Sequence, residues 1–315
     1  MKKIFAAAIL FHLFLFANAQ VDYPAASHNF SLSIEGRTVN MSYMDIRPEK
    51  ESGKNILLLH GKNFNGYYWK NVIPFFTKLG YRVIIPDQVG WGRSDHPDIH
   101  YSFHLLANNT KFLLDSLGIK QTVVLGHSMG GMLATRFTLM FPSFVQKLVL
   151  ENPIGLEDYK TFVPYQSFEK LFAKEKKATY ESYKKYQQSY YPEWKPEYEQ
   201  YVQAQAADLN SPQFDSIARA NALTYLMIYE QPVVYEFDRI NVPTLLIIGQ
   251  ADRTVVGKDQ LDETGKKKYG DYPSLGKLTH EKIKGSILKE LPGVGHIPHV
   301  QDITAFENAI SAFLK

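Results

Sequence analysis

The chain of 315 residues is long enough for one large domain with a substantial buried core, or for a core carrying an inserted lobe. Hydrophobic residues make up 45% and charged residues 21%, which excludes an intrinsically disordered chain, and a formal charge of only +3 gives no basis for nucleic-acid binding. There is no cysteine, so disulfides, thiolate metal sites and a cysteine nucleophile are excluded and stability must come from the core.

The first residues read as an export signal. Met1-Lys2-Lys3 is a short basic start, Ile4 to Ala17 is apolar except for His12, and Ala17-Asn18-Ala19 fits the small-x-small cleavage rule. The apolar run is shorter than the roughly 20 residues that span a bilayer. The expectation is a cleaved signal peptide over 1–19, a mature chain from Gln20, and a bacterial periplasmic or secreted protein with no stable membrane anchor. Once Lys2 and Lys3 leave with the leader, the charges nearly balance.

Two segments, Phe30 to Ile34 and Val39 to Ile46, alternate in polarity around Glu35-Gly36-Arg37 and predict a hairpin. After a polar linker the pattern changes to short, nearly unbroken apolar runs at Ile56 to Leu59, Tyr81 to Ile85, Thr122 to Leu125 and Lys147 to Leu150. Strands buried on both faces of a parallel sheet read this way. Helical periodicity fills the gaps at Leu105 to Leu117 and Met129 to Phe141, as parallel crossovers require. Two further strands are predicted at Thr244 to Ile248 and Ser286 to Leu291, and a closing helix carries Ile303, Phe306, Ile310 and Phe313 on one face. An antiparallel start followed by alternating strands and helices predicts an α/β fold.

The segment from about Ile154 to Asp238 has no strong strand signal and is crowded with Tyr, Lys, Glu and Gln. It is too long for a structureless loop and predicts a helical insertion. The spacing of Tyr180, Tyr183, Tyr186 and Tyr190, and of Trp194, Tyr198 and Tyr201, puts each set on one side of a helix. The default reading is packing within the insertion, with a pocket lining as the alternative. The expected organisation is therefore a core over 20–153 and 239–315, with the insertion at 154–238.

The chemistry starts at Gly126-His127-Ser128-Met129-Gly130, the sole G-x-S-x-G in the chain, between a predicted strand and a predicted helix. A serine on such a turn takes a strained backbone, and side chains at the glycine positions would collide with it. A serine hydroxyl needs a base, and the base needs an orienting acid, in the chain order Ser, Asp or Glu, His. Asp252, in Gly249-Gln250-Ala251-Asp252, and His296, in Gly293-Val294-Gly295-His296, lie just past strand ends, where open parallel sheets form their crevices. Glu151 competes with Asp252 for the acid and His299 with His296 for the base. Asp87 precedes the nucleophile and reads as a loop-structuring residue.

Gly126 to Gly131, His60-Gly61, Asp87-Gln88-Val89-Gly90-Trp91-Gly92-Arg93-Ser94, Gly249 to Asp252 and Gly295-His296 together resemble the α/β-hydrolase superfamily, over about Phe30 to Lys315. The resemblance implies a mostly parallel twisted sheet flanked by helices, with the insertion as a cap. It also implies an oxyanion hole from the backbone N–H groups of Lys62 and Met129, with His60 fixing the loop. The segment Lys62-Asn63-Phe64-Asn65-Gly66 departs from the glycine-rich loops of proline iminopeptidases and many lipases. Asp252 and His296 are also further apart than is usual, with Lys266-Lys267-Lys268 in the excess read as solvated surface. The implied activity is hydrolysis of a small-molecule acyl compound, a carboxylic ester by default, with no metal or organic cofactor. Amide, lactone and C–C bond cleavage are alternatives on the same triad. A ligand-binding module on a hydrolase scaffold is the alternative from another class.

Overall fold

The apolar runs of the sequence form the interior of an eight-stranded sheet with strand order β1-β2-β4-β3-β5-β6-β7-β8. This computed structural model describes residues 21–315, so the expected leader lies outside the described residues. The hairpin is β1 (Ser27–Ile34) and β2 (Arg37–Ile46), paired antiparallel with Ile34 opposite Arg37. Its turn places Glu35 and Gly36 at positive φ (49° and 74°), the backbone that a two-residue hairpin of right-handed twist requires.

The parallel body consists of β3 (Lys54–Leu59), β4 (Tyr81–Pro86), β5 (Thr122–His127), β6 (Val145–Glu151), β7 (Thr244–Gly249) and β8 (Ile287–Leu291). Among the sheet's other pairings only β2 with β4 is antiparallel. Side chains alternate between the two faces. Leu57, Leu59, Val124, Leu148, Leu150, Leu246 and Ile248 join one core, and Ile56, Leu58, Val123, Leu125, Val149, Leu245 and Ile247 join the other. Both faces are dry because helices cover both, and this is why the runs are unbroken rather than alternating.

On the first face lie α2 (Phe103–Ser116) and α3 (Met129–Met140), and on the second α1 (Ile73–Lys78). Between β6 and β7 the chain inserts α4 (Phe168–Glu175), α5 (Tyr180–Gln188), α6 (Glu199–Ala206) and α7 (Phe214–Glu230), the helical insertion that the composition predicts. The stretch between Asp252 and His296 folds into α8 (Glu263–Lys268) and α9 (Tyr272–Lys282) before β8. Only part of it is solvated surface. Lys267 and Lys268 are exposed at the C-terminus of α8, where cations suit the helix dipole, whereas α9 buries Tyr272 and sets Gly276 against Ile248. The chain closes with the single turn α10 (Pro298–Gln301) and α11 (Ile303–Leu314), which sinks Phe306 and Ile310 into the second core.

The close approach of α3 to the sheet depends on glycine. A Cβ at Gly130 would stand 2.0 Å from the Leu59 carbonyl oxygen, and one at Gly126 would stand 2.1 Å from that of Gly130. Both obstacles are backbone, so neither can rotate away. Gly130→Ala is therefore expected to cost about 2 kcal/mol or more of stability, read as a lowered Tm, and an unchanged Tm would contradict this packing.

Candidate active site

Strand β5 ends at His127, α3 begins at Met129, and Ser128 makes the turn alone with φ 55° and ψ −120°. A non-glycine residue in this region costs of the order of 1–3 kcal/mol and persists only where its surroundings hold it. Here the neighbouring strand supplies the hold. Ser128 donates its N–H to the Glu151 carbonyl at 3.2 Å, and its own carbonyl accepts from Gly131 (2.9 Å) and Ile154 (3.1 Å). The turn thus lifts the hydroxyl off the carboxyl edge of the sheet.

The loops after β7 and β8 converge on that hydroxyl. Gln250 and Ala251 donate their N–H groups to the Leu291 and Val294 carbonyls, which locks the two loops together. His296 Nε2 lies 2.9 Å from Ser128 Oγ, and Nδ1 lies 2.7 Å from Asp252 Oδ2. The tautomer that fits donates from Nδ1 to the carboxylate and accepts the serine proton at Nε2. Asp252 also accepts from Asn152 Nδ2 on Oδ2 (2.7 Å) and from the Thr254 N–H on Oδ1 (2.8 Å). Burial pushes its carboxyl up, but His296 and these donors outweigh burial and hold it below the ordinary carboxylate value.

The competing acid and base are brought together elsewhere. Glu151 accepts from the His299 backbone N–H at 2.8 Å, and both its oxygens lie within 3.0 Å of His299 Nδ1. Both residues are fully buried, and the His299 ring stacks on Trp69 at 4.3 Å. That pair joins β6 to α10 behind the site, out of line with Ser128.

The loop after β3 passes beside Ser128, where a Cβ on Gly61 would lie 3.1 Å from the Ser128 Cβ. His60 fixes this loop, as the resemblance implies: its Nε2 accepts from the Gln88 N–H (3.0 Å) and its Nδ1 donates to the Gly61 carbonyl (2.9 Å). Trp91 Nε1 donates to the Lys62 carbonyl. Asp87 accepts from the Gly66 and Arg93 N–H groups and from the Tyr23 hydroxyl, a loop-structuring role. The Lys62 and Met129 N–H groups donate to no acceptor among the described residues. As the first residue of α3, Met129 has an N–H without an intrahelical partner.

The family model for the alpha/beta hydrolase fold matches residues 54–302. A probable hydrolytic enzyme from Pseudomonas aeruginosa PAO1 superposes with a TM-score of 0.91 at 43% identity, covering 93% of this chain and 96% of that one. The chain belongs to the α/β-hydrolase family. Among curated relatives, epoxide hydrolase 2 of Siraitia grosvenorii is 39% identical over 100 residues, 31% of this chain and 32% of that protein. The 2-hydroxy-6-oxononadienedioate/2-hydroxy-6-oxononatrienedioate hydrolase of Paraburkholderia phymatum is 37% identical over 145 residues, 44% of this chain and 49% of that protein. The chain spans about a third to a half of the length of the curated relatives it matches.

In this α/β hydrolase the inserted helices roof a cavity of about 370 Å³ that opens onto Ser128. Tyr183, Tyr186, Tyr190 and Tyr225 line it, with Ile154 and Val256. Three of the first aromatic set therefore face the cavity, whereas Tyr180 donates its hydroxyl to Glu199 within the insertion. Tyr190 lies just past α5, stacks on the His296 ring at 4.8 Å, and accepts the His296 N–H on its carbonyl at 2.7 Å. In the second set Trp194 and Tyr198 do pack within the insertion, with Tyr191 stacked on Tyr198 at 4.0 Å, whereas Tyr201 packs across onto Tyr67 and accepts from Asn71 Nδ2 at 3.3 Å.

Sequence reasoning missed two residues that hold the site. Asn152, fully buried at φ 36°, donates to Asp252 and accepts the Gly249 N–H at 2.9 Å. Its one visible signal is an asparagine at a strand end, a residue that tolerates left-handed backbone. His127 donates from Nε2 to the His296 carbonyl (2.8 Å) and accepts the Tyr68 hydroxyl at Nδ1 (3.2 Å), and Tyr68 in turn accepts the Gly61 N–H (3.0 Å). The Ser128 turn, the His296 loop and the Gly61 loop are thereby one network. Among the described residues no cluster of His, Asp and Glu is arranged to hold a metal ion.

Burial holds His127 well below the ordinary imidazole value, helped by nearby His296 and His299, and burial likewise lowers His60. Below about pH 6.5 the unfolded chain gains a proton at each of these positions while the folded chain stays neutral. Folding stability should then fall as the pH is lowered, each such histidine contributing up to about 1.4 kcal/mol per pH unit. Denaturant unfolding between about pH 7 and pH 5 measures this slope, and His60→Asn should flatten it. Parallel curves for the two proteins would contradict a neutral buried His60.

Proposed function

We propose that the chain is a serine hydrolase that cleaves a small carboxylic ester through an acyl-enzyme. The observation that carries this reading is the in-line chain Ser128 Oγ, His296 Nε2 (2.9 Å), His296 Nδ1, Asp252 Oδ2 (2.7 Å), buried at the floor of a largely apolar cavity.

Ser128 Oγ attacks the ester carbonyl while His296 Nε2 takes its proton, and Asp252 stabilises the imidazolium that forms. The tetrahedral oxyanion receives the Lys62 and Met129 N–H groups, which are preorganised where negative charge develops and contribute a few kcal/mol each. The C–O bond to the leaving group breaks as His296 returns the proton to the departing alcohol. Water then adds to the acyl-enzyme, deprotonated by His296, and Ser128 recovers its proton as the acid leaves. The transfer between Ser128 and His296 runs along a hydrogen bond already in place. Tyr190, against the imidazole face, limits the ring to the orientation that this relay uses.

Hydrolysis of a C–C bond on the same triad is the second reading, favoured by the match to the Paraburkholderia oxononadienedioate hydrolase. Purified protein assayed on neutral aliphatic esters of graded chain length should release acid and alcohol. Ser128→Ala should lower kcat/KM by about 10⁴-fold or more at an unchanged Tm. Turnover that survives Ser128→Ala would overturn the reading. No turnover on any ester, with ligand-induced stabilisation alone, would replace it with a binding module on a hydrolase scaffold.

A further inference from the structure

The cavity over Ser128 contains a cation that the ester chemistry does not use. Lys62 takes part in the reaction through its backbone, yet its side chain also lines the cavity, together with Asn63. Among the described residues the ammonium has no hydrogen-bond or ion-pair partner, since the recorded contact of Lys62 is through its carbonyl to Trp91. Its charged neighbours are two residues at the end of α4, Glu175 and Lys174, both on the cavity wall. Lys174 is already paired with Asp259 at 2.6 Å. Glu175 approaches Lys62 without reaching ion-pair distance. Burial pulls the lysine below its ordinary pKa, the mark of an ammonium short of water and of a close counter-ion.

The location sets what could supply that counter-ion. Gly61 abuts Ser128, so the next residue's stem rises from beside the reacting carbonyl into the roofed space. Tyr183 and Tyr186 line the same space, with Ile154 and Val256. A charge in such surroundings interacts with a ligand charge more strongly than it would in water. Lys174 and Lys177 on the rim add cations against Glu175 and Asp259, leaving the lining with an excess of positive charge.

We propose that Lys62 makes this hydrolase selective for esters that carry a carboxylate, with the substrate's free carboxylate pairing with the Lys62 ammonium inside the cavity while Ser128 attacks the ester carbonyl. The inference rests on the serine-esterase reading and names its substrate class. Lys62 acts as a specificity-determining residue, through its side chain, in addition to its backbone donor.

The test compares kcat/KM for the monomethyl esters of succinate, glutarate and adipate with those of their dimethyl esters, which share the skeleton and lack the charge. The butanoate ester of glycolate, set against ethyl butanoate, places the carboxylate on the alcohol side. Wild type should prefer the charged member of at least one pair by about tenfold or more, largely in KM. Lys62→Met should abolish the preference, Lys62→Arg should keep most of it, and added salt should weaken it. Neutral esters cleaved with equal or greater efficiency in every pair, or a preference that survives Lys62→Met, would overturn the inference and leave the esterase reading standing. If no ester is cleaved, that reading falls, and the Lys62 site is decided by binding. Succinate, glutarate or adipate should raise the Tm of wild type but not of Lys62→Met, and equal shifts or none would overturn it.

Discussion

The imidazole of His296 is held at every point where it could move, and the rest of the site is arranged around that restraint. Both ring nitrogens are engaged, the backbone N–H of His296 donates to the Tyr190 carbonyl, its backbone carbonyl accepts from His127 Nε2, and the ring face lies on the Tyr190 ring. Proton transfer between serine and imidazole depends on a hydrogen bond of ordinary length and correct tautomer, and a small displacement of the ring costs more than loss of a distant contact. The fold supplies the restraint from separate directions. Asp252 comes from the loop after β7, Asn152 from the end of β6, His127 from the end of β5, and Tyr190 from the insertion.

Two buried histidine–carboxylate pairs of similar geometry lie close together, and only one of them meets a hydroxyl. Glu151 and His299 are as buried as Asp252 and His296, and their hydrogen bonds are nearly as short. What separates them is the second nitrogen. His296 Nε2 meets a hydroxyl at the edge of a cavity, whereas His299 Nε2 has no partner among the described residues and faces aromatic rings. The Glu151–His299 pair instead pins α10 to the end of β6, close behind His296. Histidine and carboxylate chemistry becomes catalytic only where a nucleophile and a space for substrate meet it.

Much of this was legible in the sequence because the relevant physics is local. Strands buried on both faces leave unbroken apolar runs, and a serine turn between strand and helix requires glycines where a Cβ would strike the backbone. Asp252 and His296 were readable as polar residues past strand ends. Choosing them over Glu151 and His299 rested on chain order and loop glycines; in the structure His296 lies between Ser128 and Asp252, while His299 pairs with Glu151. Asn152, His127 and Tyr68 were not legible as a group, because what unites them is a set of contacts between separate loops. The tyrosines of α5 were legible as a stripe but not as to their target, since a 3.6-residue period fixes which residues share a face and not what that face meets. Lys62 is the extreme case. Its backbone role follows from a resemblance in the loop, while its side chain acquires meaning only when the insertion encloses it with Glu175 and no closer anion.

The central claim is that Ser128 is a nucleophile because His296 and Asp252 make it one. Intact-protein mass spectrometry after exposure to a fluorophosphonate measures this most directly. Wild type should gain a single phosphonyl adduct that peptide mapping places on Ser128, and the adduct should form at least about 10³-fold more slowly in His296→Ala. Equal labelling of wild type and Ser128→Ala, or labelling of Ser128 at an undiminished rate without His296, would contradict the account.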